Sequence, residues 1–458
     1  MARRTGLRRR ILSLSLTLVA TAAAGLTAHG FAAAATTGVT YYLDATGGSD
    51  ANAGTSSAAP WKSLGKLTVT TFKAGDQILL KAGQVWSGTA DNQPGVTFKT
   101  GWDGSKKTGG IVFDTTVTSI TAPGSTPTIL NDLSVQNSTI SDTSFAGIVV
   151  KQYTGDATGA TATGWGSRTS ATDTKFSPHT NVVLKNNYIS QAGTAYGCNG
   201  IYLTDVRGAQ ITGNTVYKAG TSGIEAYFAD NVTIAKNEVY GTTQKAGGAD
   251  YNGIDPDKGT TNIVVQYNFV HDNGDGILLC QFVFGSVTVR YNVLKSNTRY
   301  PIYLHSDKAA TADIYHNTVY NNVSGYLTYG YGSSLAAKYT IRNNVYASTK
   351  ANAVLTTSST ITYQNNLYAG TLTVPATDTG AKTGDPKFVN PGVTGPYGTA
   401  TSGPQLKTAL AFALTAGSPA IDTGLAISGN GGVDFAGATL YHGAPDIGAL
   451  EYGASVPS

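Results

Sequence analysis

Two carboxylates and an amine fall within four consecutive positions of the stretch YNGIDPDKG, at Asp255, Asp257 and Lys258. Carboxylates held in pairs act as acid and base in glycoside hydrolysis, and together they offer the hard oxygen ligands that calcium takes. An amine beside them serves as a base once its pKa is lowered. The surrounding residues alternate like a strand, yet Pro256 has no N–H for a sheet ladder and belongs at a strand end or bulge. A plain turn, with each aspartate bonding its own backbone, is the competing reading. The neighbouring elements decide between the two.

Those elements repeat. The phrases LKNNYI, ITGNTV, IAKNEV, VQYNFV, VRYNVL, IYHNTV, IRNNVY and TYQNNLY share an asparagine: Asn187, Asn214, Asn237, Asn268, Asn292, Asn317, Asn344 and Asn366. Successive spacings run from 22 to 31 residues, and such a period with strand-like alternation marks a solenoid. Each repeat carries a second strand beginning at Gly200, Gly223, Gly253, Gly276 or Pro301. Nothing between these strands has helical length or period. The expectation is an all-β, single-stranded, right-handed parallel β-helix, its asparagines forming a structural ladder at one bend.

Aligning the second strands by their isoleucines aims every other residue outward. One outward row reads Tyr202, Glu225, Asp255, Leu278, Tyr303, and the next reads Thr204, Tyr227, Asp257, Cys280, His305. Row neighbours stand about 4.8 Å apart, and neighbours across the rows about 6.5–7 Å. Glu225, Asp255 and Asp257 therefore cluster, flanked by Tyr202, Tyr227 and Tyr303, with His305 two coils along. Lys258 leaves the same strand end, and the DNGDG phrase brings Asp272 and Asp275 to a nearby turn. Stacked carboxylates raise one another's pKa, an arrangement that serves a site rather than a sheet. The tyrosines suit the apolar faces of sugar rings. Cys280 reads as a bystander without a histidine neighbour. Cys198 lies three coils away, about 14 Å at the strand spacing, so both thiols are expected to be free.

Five arginines, Arg3, Arg4, Arg8, Arg9 and Arg10, precede an apolar run from Ile11 and small residues at Ala32 to Ala35. That pattern predicts a signal peptide over 1–35 and a secreted, extracellular protein. Taking five of the 31 basic residues away leaves 26 against 27 acidic ones. A near-neutral mature chain without a basic stripe is not built for nucleic acid, and no later segment is apolar enough to span a membrane. Residues 36–135 read as an N-terminal cap with the first coils, 136–370 as the coils carrying the site, and 371–458 as the last coils and a closing segment. The segment from Tyr41 to Leu67 predicts a first strand and a short covering helix, because open solenoid ends expose sheet edges. SPAIDTG and PDIGALEYG predict the closure at the other end. A monomer is expected.

These terminal phrases resemble those of secreted bacterial right-handed β-helix proteins of pectate-lyase-like architecture. Within the repeats, NGIDPDKG, VHDNGDGILL and SNTRYPIYL resemble the catalytic core of mannuronan C-5 epimerases, which are mechanistically close to alginate lyases. Asp255, Pro256, Asp275 and Arg299 match that motif, while Asn252, Asp257 and Tyr300 stand where the family has tyrosine, histidine and histidine. The resemblance implies a cleft at these coils and an acidic polysaccharide as partner.

Three functions fit the sequence. A polysaccharide lyase would neutralise a uronate with Arg299, or with calcium on Asp255, Asp257 and Asp275, take the α-proton with Lys258, and protonate the leaving oxygen from His305 or Tyr300. A glycoside hydrolase would pair Glu225 with Asp255 at the retaining separation, or Asp255 with Asp257 at the inverting one. A non-catalytic carbohydrate-binding β-helix would use the same face without chemistry.

Overall fold

The computed structural model describes residues 12–15, 38–73, 76–81, 89–92, 96–99, 109–114, 129–143, 145–152, 170–174, 176–191, 199–242, 250–332 and 335–453. The expected leader lies outside them apart from Leu12–Ser15, and so does Cys198.

Each central coil gives one strand to each of three parallel sheets. In one coil, Ile201–Thr204 is followed by Val206–Thr212 and then by Thr215–Tyr217. These belong to sheets of eight, nine and ten strands in which neighbours come from successive coils. Ile201, Ile224, Ile254, Ile277 and Ile302 stack in register and are fully buried. With valines and leucines of the other two sheets they fill the solenoid's single core. The glycine before each of the first four isoleucines makes room at a corner, and Pro301 takes that place before Ile302. A Cβ on Gly253 would lie 2.4 Å from Val270 Cγ1 and 2.7 Å from the Gly276 carbonyl.

The asparagine ladder is complete. Asn292 Oδ1 accepts from the backbone N–H and the side-chain amide of Asn268 at 3.0 and 2.9 Å. Its own amide donates to the Val265 carbonyl and to Asn317 Oδ1, both at 2.9 Å. The last member, Asn366, is held by Asp378. One residue before each ladder position the chain takes positive φ, at Asn186, Gly213, Lys236, Tyr267, Tyr291, His316, Asn343 and Asn365. That left-handed residue makes the bend, and the buried amide satisfies the backbone groups the bend frees.

Near the N-terminus, Thr40–Leu43 pairs with Gln77–Leu80, and Gly65–Val69 is a short helix, with Leu64 and Leu67 packed on Trp61 and Ile78. The closing segment runs along the solenoid's flank, burying Phe412, Ile427, Phe435 and Leu450 against Tyr267, Phe269, Tyr291 and Tyr315. It reaches back as far as Glu238, whose Oε2 accepts from the N–H groups of Gly398 and Gln405 at 2.9 and 2.5 Å. Aromatic side chains on the outer face of these coils give it an apolar surface to bury.

Candidate functional site

The eight-stranded sheet carries the predicted rows in the predicted register. Tyr202 pairs with Glu225 and Glu225 with Asp255, while Thr204 pairs with Tyr227 and Cys280 with His305. The proline is accommodated because Asn252–Pro256 ends at it, and the ladder to the next coil is complete by Ile254. Asp257 follows immediately, anchored by its N–H to the Ala226 carbonyl at 2.8 Å. The strand reading therefore prevails over the isolated turn.

Glu225, Asp255 and Asp257 each place a carboxylate oxygen within 4.8 Å of the other two. The cluster is less open than two outward rows imply, since Glu225 is 8% and Asp255 3% exposed. Asp255 Oδ2 accepts from Ser222 Oγ at 3.2 Å and from the Asn252 amide at 3.0 Å. Its other oxygen, Oδ1, is buried without a hydrogen-bond partner. Asp257 Oδ1 accepts from the Lys258 N–H at 2.6 Å. Glu225 is bonded by the side chains of Asn199 and Ser222.

Burial, with the charges of its neighbours Asp257 and Asp250, pushes Glu225 well above the usual carboxylate range. Burial, then Asp257 and Glu225, does the same to Asp255. Asp257 is pushed up to about 6 by burial, opposed by hydrogen bonds from the Cys280 thiol and the Lys258 N–H. In water-like surroundings such a trio would simply ionise; here desolvation and mutual repulsion favour bound protons or a cation.

Asp275 is not part of this trio. It lies fully buried at the start of Asp275–Cys280, where Arg299 Nε donates to its Oδ1 at 2.8 Å and a second guanidinium N–H to its Oδ2. The Tyr300 N–H also reaches Oδ1, at 3.1 Å. With its oxygens so engaged, Asp275 stands apart from the carboxylates that lie close enough to share a cation, and Glu225 stands among them instead. Arg299 in turn lies over the rings of Tyr251, Tyr300 and Tyr303 at 4.3, 5.1 and 5.6 Å. Asp272 points to the opposite flank, bonded to His271 and facing Lys295.

Lys258 stands at the Asp257 end of the site, its ammonium 6.0 Å from the centre of the Phe228 ring. Cys280 has a histidine neighbour after all: its Sγ is 3.5 Å from His305 Nδ1, because the two are register partners. It is a free thiol. Burial, then the charges of Asp257 and Asp255, holds that thiol protonated, so it donates to Asp257 rather than attacking. Burial lowers the pKa of His305, opposed by Asp307 and Asp250. Tyr202 and Tyr227 lie beside one another on the N-terminal side, ring centres 6.5 Å apart.

Several site residues were not among the candidates. Asp250 acts on every carboxylate of the trio and is itself raised by burial, against the pull of Arg299 and His305. Its signal was only its place two residues before Asn252, ahead of the strand. Ser222 and Asn252 bind Asp255, and Tyr326, Tyr329 and Tyr331 extend the tyrosine group past Tyr303. Continuing the outward rows one coil further finds Tyr329 and Tyr331.

No curated protein sequence matches the chain. Among solved structures, pectate lyase Pel9A is similar at 15% identity and a TM-score of 0.42, over 91% of this chain and 97% of that one. The GH136 lacto-N-biosidase from Eubacterium ramulus is similar at 13% identity and a TM-score of 0.41, over 75% of this chain and 67% of that one. Likenesses this loose say nothing of the reaction. The description "right handed beta helix region" matches residues 128–309 and 199–368, more than half of the chain and the same coils that carry the ladder and the carboxylates. By that match and by its three stacked parallel sheets, the chain belongs to the right-handed β-helix family.

Proposed function

We propose that the protein is a secreted, monomeric polysaccharide lyase that cleaves a uronic-acid-containing glycan by β-elimination. One observation carries this reading: three carboxylates meet within 4.8 Å, and the most buried of them keeps an oxygen without a partner. An unpartnered buried carboxylate oxygen is costly, and a hard divalent cation suits it and its two neighbours. Glu225, Asp255 and Asp257 would hold calcium there. When bound, calcium neutralises the uronate carboxylate and so makes the adjacent proton easier to remove.

The remaining steps belong to the chain's own residues. Lys258, at the Asp257 end, accepts the proton on the carbon next to the uronate carboxylate as a free amine, the form that a cation bound at the trio favours. The electron pair left behind forms the new carbon–carbon double bond and expels the glycosidic oxygen. His305 or Tyr300 returns a proton to that oxygen. Arg299, fixed by Asp275, lends positive charge to the side of the site where Tyr300 and Tyr303 stand.

A glycoside hydrolase is the second reading, favoured by Asp257 standing at about 6 with Glu225 and Asp255 both raised well above the usual carboxylate range. Such a trio keeps a protonated carboxyl beside a partly ionised one near neutral pH. The test is a panel of polysaccharides incubated with the mature protein in calcium and in chelator. Ultraviolet absorbance from unsaturated uronide that calcium restores supports the lyase. New reducing ends without that absorbance support the hydrolase, and binding without cleavage, unchanged in Asp255→Asn, overturns both.

A further inference from the structure

The outward rows do not stop at the carboxylates. Tyr303 pairs with Tyr329 in the next coil, and Tyr331 is set beside His305 by its N–H bond to the Leu304 carbonyl at 2.9 Å. Tyr300 and Tyr329 stack with ring centres 3.9 Å apart and planes 6° from parallel. Tyr326 meets both edge-on, at 5.0 and 5.6 Å. Tyr331 lies over His305 at 4.1 Å and is 53% exposed. These side chains brace one another, so their surface is set before anything binds, and a preorganised surface loses little entropy on binding.

We infer that this tyrosine group is the saccharide-binding half of an internal-cutting cleft, lying on the C-terminal side of the carboxylates. The inference rests on the carboxylate trio being the cutting site. Its occupant is the continuation of the same glycan chain, because platform and trio lie in the same two outward rows of one sheet. From Tyr202 through Asp255 to Tyr329 the row takes five coil steps, about 24 Å at the strand spacing. Tyr202 lies two steps before Asp255, about 10 Å, and Tyr329 three steps after it, about 14 Å. Aromatic surface on both sides of the carboxylates means that sugar rings are held on both sides of the bond being broken. An enzyme so built cuts within chains.

The chemistry of the lining narrows the occupant. Tyrosine faces take the apolar side of a pyranose, and their hydroxyls reach its edge groups. Arg299, at 5.1 and 5.6 Å from Tyr300 and Tyr303, puts a cation at the edge of the platform nearest the trio. A uronate carboxylate belongs at that edge, and less charged rings lie further along, over Tyr329 and Tyr331.

Binding and cutting are measured separately. Calorimetry on Asp255→Asn follows oligosaccharides of three to six units, prepared from each polysaccharide of the panel, with Tyr331→Ala and Tyr329→Ala added singly. The expected result is about tenfold weaker binding of the hexasaccharide in each, the size of one lost aromatic contact, with a loss that grows with chain length. Tyr452→Ala, an exposed tyrosine of the closing segment, is the control and binds as before. Equal binding in the Tyr329 and Tyr331 variants overturns the inference. Self-association of the protein that Tyr331→Ala abolishes also overturns it, since the platform then docks a second copy. Product lengths from the active protein decide the mode of action: internal fragments agree, and single units released from chain ends overturn it while leaving the carboxylate site standing. Absence of cutting on every glycan, with length-dependent binding intact, removes the catalytic reading and the internal-cutting claim together.

Discussion

Glu225 and Asp255 stand side by side on adjacent coils, register partners in a parallel sheet, and both are almost completely buried. A parallel stack of identical coils forces this closeness, because each outward position faces its equivalent about 4.8 Å away. Two buried carboxylates at such a spacing cannot both ionise cheaply. Stability follows from how that charge is resolved.

The first consequence is a pH dependence. Asp257 rises from 3.8 in the unfolded chain to about 6 in the folded one, and Glu225 and Asp255 are also raised well above the usual carboxylate range. Between the two values the folded state binds more protons than the unfolded state, so stability falls as pH rises. In chelator, the melting temperature is expected to be highest near pH 4 and to fall steadily through pH 6 and above. Asp255→Asn flattens that slope, and differential scanning calorimetry at stepped pH measures it.

A divalent cation reverses the trend. Calcium at about a hundred times its dissociation constant adds roughly 2.7 kcal/mol to folding, so the melting temperature at pH 7 rises. At pH 4 protons compete for the same oxygens and the rise shrinks. Asp255→Asn, which removes the buried oxygen lacking a partner, abolishes the rise. An unchanged melt of the native protein in calcium contradicts the cation reading.

The Asp275–Arg299 pair predicts non-additive losses. Asp275 is fully buried and Arg299 a quarter exposed, so Arg299→Ala strands a buried carboxylate at a cost of about 3–5 kcal/mol. Removing both partners, as Asp275→Leu with Arg299→Leu, costs less than the sum of the single changes. Urea unfolding of the two singles and the double gives the coupling.

Gly274 offers a change that adds no charge and removes no carboxylate. A Cβ there would fall 1.5 Å from Tyr251 Cδ2, so the ring that carries Arg299 must move. Gly274→Ala is expected to cost about 1–3 kcal/mol by overpacking and to lower turnover by at least about tenfold, the effect of misplacing a charged group. Melting curves and initial rates on the cleaved glycan check the two effects separately.

The architecture and the site's register were legible in the primary structure for one reason. Inward isoleucines recur with period two inside each strand, and a buried asparagine recurs once per coil, so aligning either pattern aligns the outward rows. That is why Glu225, Asp255, Asp257 and His305 stand where the repeats place them. Tertiary structure alone decided what depends on segments outside the repeat. Asp250 enters the site from the connection before Asn252, whose length does not follow the period. Asp275 chose Arg299 over the trio because a guanidinium at the next corner satisfies both its oxygens at once. The closing segment folded back along the flank because its apolar side chains found tyrosines and phenylalanines there to cover. Periodic positions are set by local pattern and strand pairing, whereas these contacts are won by burial and charge between residues far apart in the chain.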